Sequence, residues 1–411
     1  MSAFSVFSDR KKRKKNMQTL SVEQYYENRA RRLSHVRYAC LLLTVLFVVY
    51  GFAVHGEELT PENFRYMLKF VNLTEEDDVT EANTVRFDYA SGNIGGIFRG
   101  DVAVLNGDGL SLYGWDAEKL FSVSFRMESP RLAVTPQSIF AYDLGGSEVR
   151  IFNSYSQYAR LTMSYPIYGF AACDSGAFAV ITSEKNYRTA VCVYDSNARQ
   201  VYKRLLSDTY VDQIALSPDG SEFLALGHYA QGGDLITLLQ RYSLSDEEPV
   251  FTASYTGELP LRVAYLSNER FAVLTGSALR CYDAGSAENE SPVGTLSLND
   301  SSLQGCNFSE GHVLLTFSDS GLSGGTILQV YGDDASLQGT YRYEGAVNDK
   351  LVLSDSLCVL TMGEVTVTPL SGGEPTIYEI GKDALQLLND GEILILFEKS
   401  DAYRLTEQET Q

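Results

Sequence analysis

The sequence is poor in cysteine, histidine, tryptophan and positive charge. Its 411 residues include 6 Cys, 4 His and 1 Trp, and 33 Lys and Arg stand against 53 Asp and Glu, a net charge of −20. Six cysteines are too few for a disulfide scaffold in a chain of this length, and dispersed histidines argue against a zinc site. The negative charge argues against nucleic acid as the main partner.

What is present indicates a folded, β-rich chain. Hydrophobic residues make up 44% and charged residues 21% of the sequence, enough to fill a core. The 34 Gly and 26 Tyr are typical of strands joined by many turns. The length fits either two to three domains or one large repeat assembly.

Charge is distributed unevenly along the chain. Residues 1–37 carry ten basic and three acidic residues, and residues 38–54 carry no charge. As a helix at about 1.5 Å per residue, the uncharged segment spans ~26 Å, slightly short of the ~30 Å hydrocarbon core of a bilayer. Tyr38 and Tyr50 lie near its ends, where aromatic side chains anchor membrane spans. Because basic flanks stay cytoplasmic, the pattern predicts a single-pass signal anchor with a cytoplasmic N-terminus and an extracellular bulk.

Other interpretations of this region stay open. A cleaved signal peptide would have a shorter basic region, and Ala53–Gly56 is a poor cleavage site. The apolar segment could also be a buried core helix. The basic cluster at residues 10–15 could bind nucleic acid, although a topogenic signal attracted to anionic lipid is the simpler interpretation.

Four regions follow from these patterns. A capping box from Ser21 to Gln24 predicts a short helix over 22–36, and Thr60-Pro61 with apolar residues at helical spacing predicts a juxtamembrane helix. The predicted organisation is a basic cytoplasmic tail at 1–37, a transmembrane helix at 38–54, a juxtamembrane helix and acidic linker at 55–83, and a repeat domain at 84–408.

The repeat is a short apolar strand, a small polar turn and a second apolar strand. It reads GIFRGDVAVL, LAVTPQSIFAY, AACDSGAFAVI and ALSPDGSEFLAL in the first half of the domain, and four further copies follow. The spacings between successive first turns are 36, 39, 43, 50, 42, 45 and 35 residues, close to the blade period of a propeller. These turns are placed at Arg99, Thr135, Asp174, Ser217, Ser267, Ser309, Ser354 and Asn389.

Each unit also contains a third and a fourth strand, which predicts one small antiparallel sheet per unit. Such sheets cannot cover their own faces and must stack radially. The eighth unit lacks its fourth strand, and an unassigned strand at 84–90 precedes the first unit. We therefore predict an all-β propeller of eight four-stranded blades, closed by pairing of the N- and C-terminal strands. Seven blades, an open arrangement and a pair of β-sandwiches are the alternatives.

One turn resembles a turn found in known propeller families. Ser217-Pro218-Asp219-Gly220, between two apolar strands, resembles the turn of WD40-like, TolB-like and YVTN-type propellers. The layout of almost the whole chain resembles an uncharacterised family of clostridial single-pass membrane proteins in which a basic tail and one transmembrane helix precede a propeller. Trp115-Asp116 is the only WD dipeptide, and the units do not repeat the Gly-His signature of WD40 repeats. The resemblance implies a topology and no reaction.

Few residues suggest chemistry. The segment from Gly321 to Gly325 matches the nucleophile-elbow pattern around Ser323, but it falls in a loop between strands and no histidine follows it. Cys173 and Cys192 share a unit on its first and third strands, which two strand spacings separate by ~9–10 Å, too far for a disulfide. Acidic turns such as 106–109 lack the spaced carboxylates of a calcium loop. We predict no catalytic, cofactor-binding or metal-ligating residue and no cofactor.

Three functions remain open. We expect a membrane-anchored, extracytoplasmic binding or scaffolding module for a protein or cell-envelope ligand, non-catalytic and not bound to nucleic acid. The main alternative is an extracytoplasmic lactonase, lyase or glycosidase with its active site in the central channel. Signalling through the basic tail is the third. An apolar or aromatic patch on one rim would favour the binding module. The oligomeric state is left open.

Overall fold

The computed structural model describes residues 34–46 and 83–405, except 91, 117–118, 287–290, 299–301, 310, 320 and 322–323. Residues 34–46 form one helix, α1, which belongs to one unit of the chain, and all the strands belong to a second. Within these residues, no helix is long and apolar enough to cross a membrane. The described helix includes 38–46 of the predicted span, and 47–54, the juxtamembrane helix and the acidic linker lie outside the described residues.

In the part of the chain that the structure describes, thirty-two strands form eight antiparallel sheets of four strands each. The first four blades, in chain order, are β2–β5 (Ile94–Phe98, Asp101–Asn106, Gly109–Tyr113, Lys119–Ser124), β6–β9 (Pro130–Val134, Ile139–Asp143, Glu148–Phe152, Gln157–Thr162), β10–β13 (Gly169–Ala172, Phe178–Glu184, Tyr187–Tyr194, Gln200–Leu206) and β14–β17 (Tyr210–Leu216, Glu222–Gln231, Asp234–Ser243, Phe251–Thr256). The last four are β18–β21 (Pro260–Tyr265, Arg270–Thr275, Ala278–Asp283, Gly294–Ser297), β22–β25 (Leu303–Ser309, His312–Ser318, Thr326–Gly332, Leu337–Tyr343), β26–β29 (Asp349–Leu353, Ser356–Leu360, Glu364–Pro369, Thr376–Glu379) and β30–β32 with β1 (Ala384–Asp390, Ile393–Glu398, Asp401–Leu405, Thr84–Arg86).

The burial of each strand follows its place in the blade. Second strands are buried on both faces, as in β3 and β11, because a neighbouring blade covers each side of the sheet. This explains why they read as continuous apolar runs rather than as alternating patterns. Fourth strands such as β5 and β25 alternate between partly buried and exposed side chains, because they form the outer edge.

The blades form a closed ring. Eight clusters of buried apolar side chains are present, and each one joins two consecutive blades. In seven of the eight neighbouring pairs of blades the first strands lie against each other, including β30 of blade 8 against β2 of blade 1. The eight blades confirm the prediction, and seven blades, an open arrangement and paired sandwiches are wrong.

The ring closes by pairing the two ends of the domain, as predicted. On β1 and β32, Thr84 lies opposite Tyr403 and Val85 opposite Ala402. Val85 is fully buried, and the ring of Phe87 stacks on that of Phe397 with centroids 5.1 Å apart. The regular strand ends at Arg86 rather than at the predicted Ala90.

Six of the eight predicted first turns lie at or directly before the observed turn. Ser309 and Asn389 instead lie inside β22 and β30, and their turns follow at Gly311 and Gly391. These two glycines have φ of 72° and 56°, in the left-handed region that glycine adopts without steric cost, so the glycine marks the turn.

The two ends of the ring differ in their loops. We call one the connector end: it contains the segments that join consecutive blades and the turns between second and third strands. The opposite end contains the turns between first and second strands and between third and fourth strands. Because every blade is a simple meander, each first strand begins at the connector end. The chain enters the ring at the opposite end, where β1 begins.

Candidate functional site

The central channel contains a cavity of about 570 Å³ along the inner faces of blades 2 to 5. Tyr168, Asp212 and Arg262 line it at the connector end, and Asp174 and Pro218 line it at the opposite end. Between them the wall consists mainly of the first strands β10, β14 and β18. The cavity therefore follows the channel wall over the length of a blade.

Three basic side chains start from first strands near the connector end of this channel. They are Arg131 on β6, Arg262 on β18 and Lys350 on β26, and none of them forms an ion pair with a described carboxylate. Burial raises the pKa of Tyr142, and both Arg131 and Arg262 oppose that rise. Since Tyr142 belongs to blade 2 and Arg262 to blade 5, the field of Arg262 reaches across the cavity.

Arg262 also acts on a side chain of the next blade. Burial raises the pKa of the Cys306 thiol on blade 6, and Arg262 and Lys350 oppose that rise. Lys350 is held near blade 6 by its backbone, because the side-chain amide of Asn307 donates a hydrogen bond of 3.1 Å to the carbonyl of Lys350. We call Arg131, Arg262 and Lys350 the channel cations.

The carboxylates near the channel cations have other partners. Asp212 lies 2.6 Å from Nδ1 of His228 on β15, and the ring of Tyr210 stacks on that histidine. Asp349 accepts hydrogen bonds from the backbone N–H groups of Leu387 and Lys350, at 2.8 and 2.9 Å. Among the residues described, none of the three cations therefore has a carboxylate within ion-pair distance, although Asp212 lines the same cavity as Arg262.

Exposed apolar and aromatic side chains concentrate at the connector end. All four tyrosines among the large hydrophobic side chains that the ring exposes lie there, whereas the exposed aliphatic side chains occur at both ends. Five of the exposed side chains belong to blades 3 to 5 and form what we call the connector-end patch: Tyr168, Tyr187, Tyr210, Leu259 and Leu261.

The patch borders the mouth of the cavity. Tyr168 lines the cavity itself, and Leu261 precedes Arg262 in the chain. The guanidinium of Arg188, next to Tyr187, lies 4.8 Å from the ring centroid of Tyr210. Aromatic side chains with nearby Arg are the combination enriched in protein interfaces.

A shielded ion pair holds the connector that carries Leu259. Arg280 donates to both carboxylate oxygens of Glu258, at 2.6 and 2.8 Å, and Thr275 also donates to this carboxylate. The guanidinium of Arg280 lies 4.2 Å from the ring centroid of Tyr255. The hydrogen bond from Arg280 lowers the pKa of Glu258 against the effect of burial.

The residues that the sequence suggested for chemistry are dispersed. Ser323 lies outside the described residues, and Gly321 and Gly325 flank it between β23 and β24, as predicted. His228 and His312 lie in blades 4 and 6, and His35 lies in α1. The fourth histidine, His55, is outside the described part of the chain.

All six cysteines are described and free, and four of them are buried. Cys173 and Cys192 lie in different core clusters, which agrees with the prediction that they do not pair. Burial raises the pKa of the Cys358 thiol to about 12 and that of Cys281 to about 11. Thiols of this kind are protonated at neutral pH and are poor nucleophiles.

The acidic turns are internally hydrogen-bonded. In the Ser217–Gly220 turn, the Asp219 carboxylate accepts hydrogen bonds from the hydroxyls of Ser217 and Ser221 at 2.6 and 2.8 Å. The bond from Ser217 lowers the pKa of Asp219. Within the described ranges, no group of three or more His, Cys, Asp or Glu side chains is arranged to hold a metal ion.

The closed ring of eight four-stranded blades defines a β-propeller protein. The chain belongs to the DUF5711 family, a family of unknown function whose model matches residues 74–403. A search of curated protein sequences finds no match to the chain. The clostridial source and the single-pass topology that the resemblance implies stay predictions.

Solved propellers share this fold at low sequence identity. BamB from Moraxella catarrhalis is 11% identical with a TM-score of 0.51, and the match covers 80% of this chain and 98% of that one. Chaetomium thermophilum Sqt1, solved bound to the N-terminus of ribosomal protein L10, is 14% identical with a TM-score of 0.50 and coverages of 74% and 93%. The C-terminal WD40 domain of Sif2 is 11% identical with a TM-score of 0.51 and coverages of 79% and 99%. The expected likeness to WD40 propellers is confirmed for the fold.

Sequence reasoning missed the channel cations and the pair of Asp212 and His228. One signal for the cations exists: each is the second or third residue of a first strand, in PRLAV, PLRVAY and DKLVL. Aligning the units on their first turns would have placed the three basic residues at nearly equivalent positions around the channel.

Proposed function

We propose that the protein is a membrane-anchored, extracytoplasmic binding or scaffolding module that engages a protein or cell-envelope ligand with the connector end of its propeller and does not catalyse a reaction. The observation that carries this proposal is the connector-end patch. Exposed tyrosines and leucines at the same end of three consecutive blades, with Arg188 beside Tyr210, offer a partner both apolar area and polar contacts.

Two further arguments support the proposal. The propeller fold presents loops on a rigid ring, a form suited to binding, and Sqt1 provides an example of such a ring with a bound protein segment. The basic tail at 1–37 and the uncharged segment at 38–54 supply the membrane anchor.

Site-specific photo-crosslinking tests the proposal in the native cells. A photoreactive amino acid at Leu259, which is 60% exposed in the patch, is compared with one at Leu337, which is 56% exposed at the opposite end. We expect a discrete crosslinked product from position 259 that position 337 does not give. The partner is then identified by mass spectrometry of the product.

The matched variants L259S and L337S provide the second readout. Because apolar anchors at an interface centre carry much of the binding energy, L259S should reduce recovery of the identified partner about tenfold, and L337S should leave it unchanged. Identical crosslinks from both positions, or equal losses in both variants, would contradict a binding site at the connector end.

A further inference from the structure

The channel cations offer a different kind of contact from the apolar side chains of the patch. Arg262 lines the cavity of about 570 Å³ and faces it with an exposed side chain. Arg131 on blade 2 and Lys350 on blade 7 start from the same end of the ring. Each of them, together with Arg262, opposes the burial-induced rise in the pKa of one shared neighbour, Tyr142 or Cys306.

Positive charge at this point is unexpected in so acidic a chain. Acidic residues outnumber basic ones by 53 to 33, yet the nearby carboxylates of Asp212 and Asp349 are engaged with His228 and with backbone N–H groups. Basic side chains that no carboxylate contacts directly are available to bind an anion.

The cavity also restricts the kind of anion. First strands form the inner edge of each blade, so their unpaired backbone groups face the channel and can hydrogen-bond a polar ligand. The volume is that of a small-molecule site. A long anionic polymer would be repelled by the acidic ring, whereas a compact anion at the mouth interacts mainly with the channel cations.

We propose that the connector-end mouth of the channel binds a compact, polar anionic group, a carboxylate or a phosphate, through Arg262 with Arg131 and Lys350. The group is either a free small solute or an acidic side chain of the partner. The inference rests on the proposed binding function, because the mouth lies beside the connector-end patch.

Ligand-observed NMR titrations of the full chain in a nonionic detergent, at constant ionic strength, test this site with paired probes. Each pair differs by one charge-bearing group: galacturonate and galactose, glucose-6-phosphate and glucose, and the peptide Ac-Gly-Glu-Gly-amide with its Gln analogue. We expect saturable binding of at least one anionic member, weakened by added NaCl, and none of its neutral counterpart. Binding of the sugar derivatives indicates a free solute, and binding of the peptide alone indicates a partner side chain.

R262Q should lower the affinity for the anion about tenfold or more, and R131Q and K350Q should lower it by less. R342Q is the matched control, because Arg342 is exposed on the outer strand β25 and forms no ion pair with the described residues. Thermal unfolding establishes that each variant is folded. Equal binding of charged and neutral probes, no saturable binding of any anion, or equal losses in R262Q and R342Q would overturn the proposal.

The two proposals fail separately. Neither Leu259 nor Tyr187 lines the cavity, and Arg262 lies outside the patch as defined. If L259S abolishes capture of the partner while no anion binds, the proposed function is supported and the channel site is contradicted. If anions bind but position 259 gives no crosslink, the protein-binding function is contradicted and a site for a small solute is supported.

Discussion

Glu258 and Arg280 show how single residues fix the geometry of the connector end. Each side chain exposes only 16% of its surface, and Arg280 is packed over the ring of Tyr255. The hydroxyl of Tyr255 in turn lies 2.7 Å from that of Tyr282. A bidentate pair in such surroundings leaves a partly buried, unpaired cation when the carboxylate is removed.

We expect E258Q to lower the free energy of unfolding by about 2 kcal/mol at neutral pH. The pKa of Glu258 in the folded chain lies below its usual value of 4.5, so the ion pair stabilises fully above about pH 4.5 and loses its effect as the pH falls through the folded value. The difference between the wild-type chain and E258Q should therefore shrink on acidification. Urea unfolding between neutral and acidic pH measures it.

E379Q is the control for this experiment, since Glu379 is exposed on the outer strand β29 and forms no ion pair with the residues described. It should change stability by less than about 0.5 kcal/mol. A pH-independent difference for E258Q, or equal effects of the two variants, would show that the pair does not stabilise the fold.

At the scale of elements, the strand β1 has only three residues but closes the ring. It supplies the fourth strand of blade 8 and covers the edge of β32, which would otherwise present unpaired backbone groups. Val85 lies in the same cluster as Val102 of blade 1 and Phe397 of blade 8. Closure of the ring therefore depends on packing as well as on backbone hydrogen bonds.

V85A should lower the free energy of unfolding by about 2 kcal/mol, because it removes two methyl groups from a closed core. The matched control is V201A, since Val201 lies on the outer strand β13 and is 50% exposed. Its effect should be within about 0.5 kcal/mol. Urea unfolding measures both variants, and similar effects of V85A and V201A would contradict closure by β1.

The sequence predicted those elements whose signals are local. Apolar runs and polar turns predicted eight blades. The absence of a fourth strand in the eighth unit predicted that β1 pairs with β32. Contacts between distant residues could not be predicted in this way. The close approach of Gly95 to Phe397 is an example: a side chain at Gly95 would come within 2.5 Å of the Phe397 ring, and nothing near either residue signals it. The channel cations are separated by 131 and 88 residues in the chain, and only the ring brings them together.

At the scale of the whole molecule, charge divides the chain into two parts. The basic tail at 1–37 precedes an uncharged segment at 38–54 and an acidic remainder. This distribution is the basis of the proposed orientation, with the N-terminus in the cytoplasm and the propeller outside the membrane.

Protease accessibility on intact cells tests this orientation with tags at both ends of the chain. A signal anchor places the C-terminus outside, so external protease should remove the C-terminal tag and leave the N-terminal tag intact. Both tags should be digested once the cells are permeabilised, which controls for protection by folding. A C-terminal tag that resists protease in intact cells and is digested only after permeabilisation would place the propeller in the cytosol, and an extracytoplasmic partner would then be wrong.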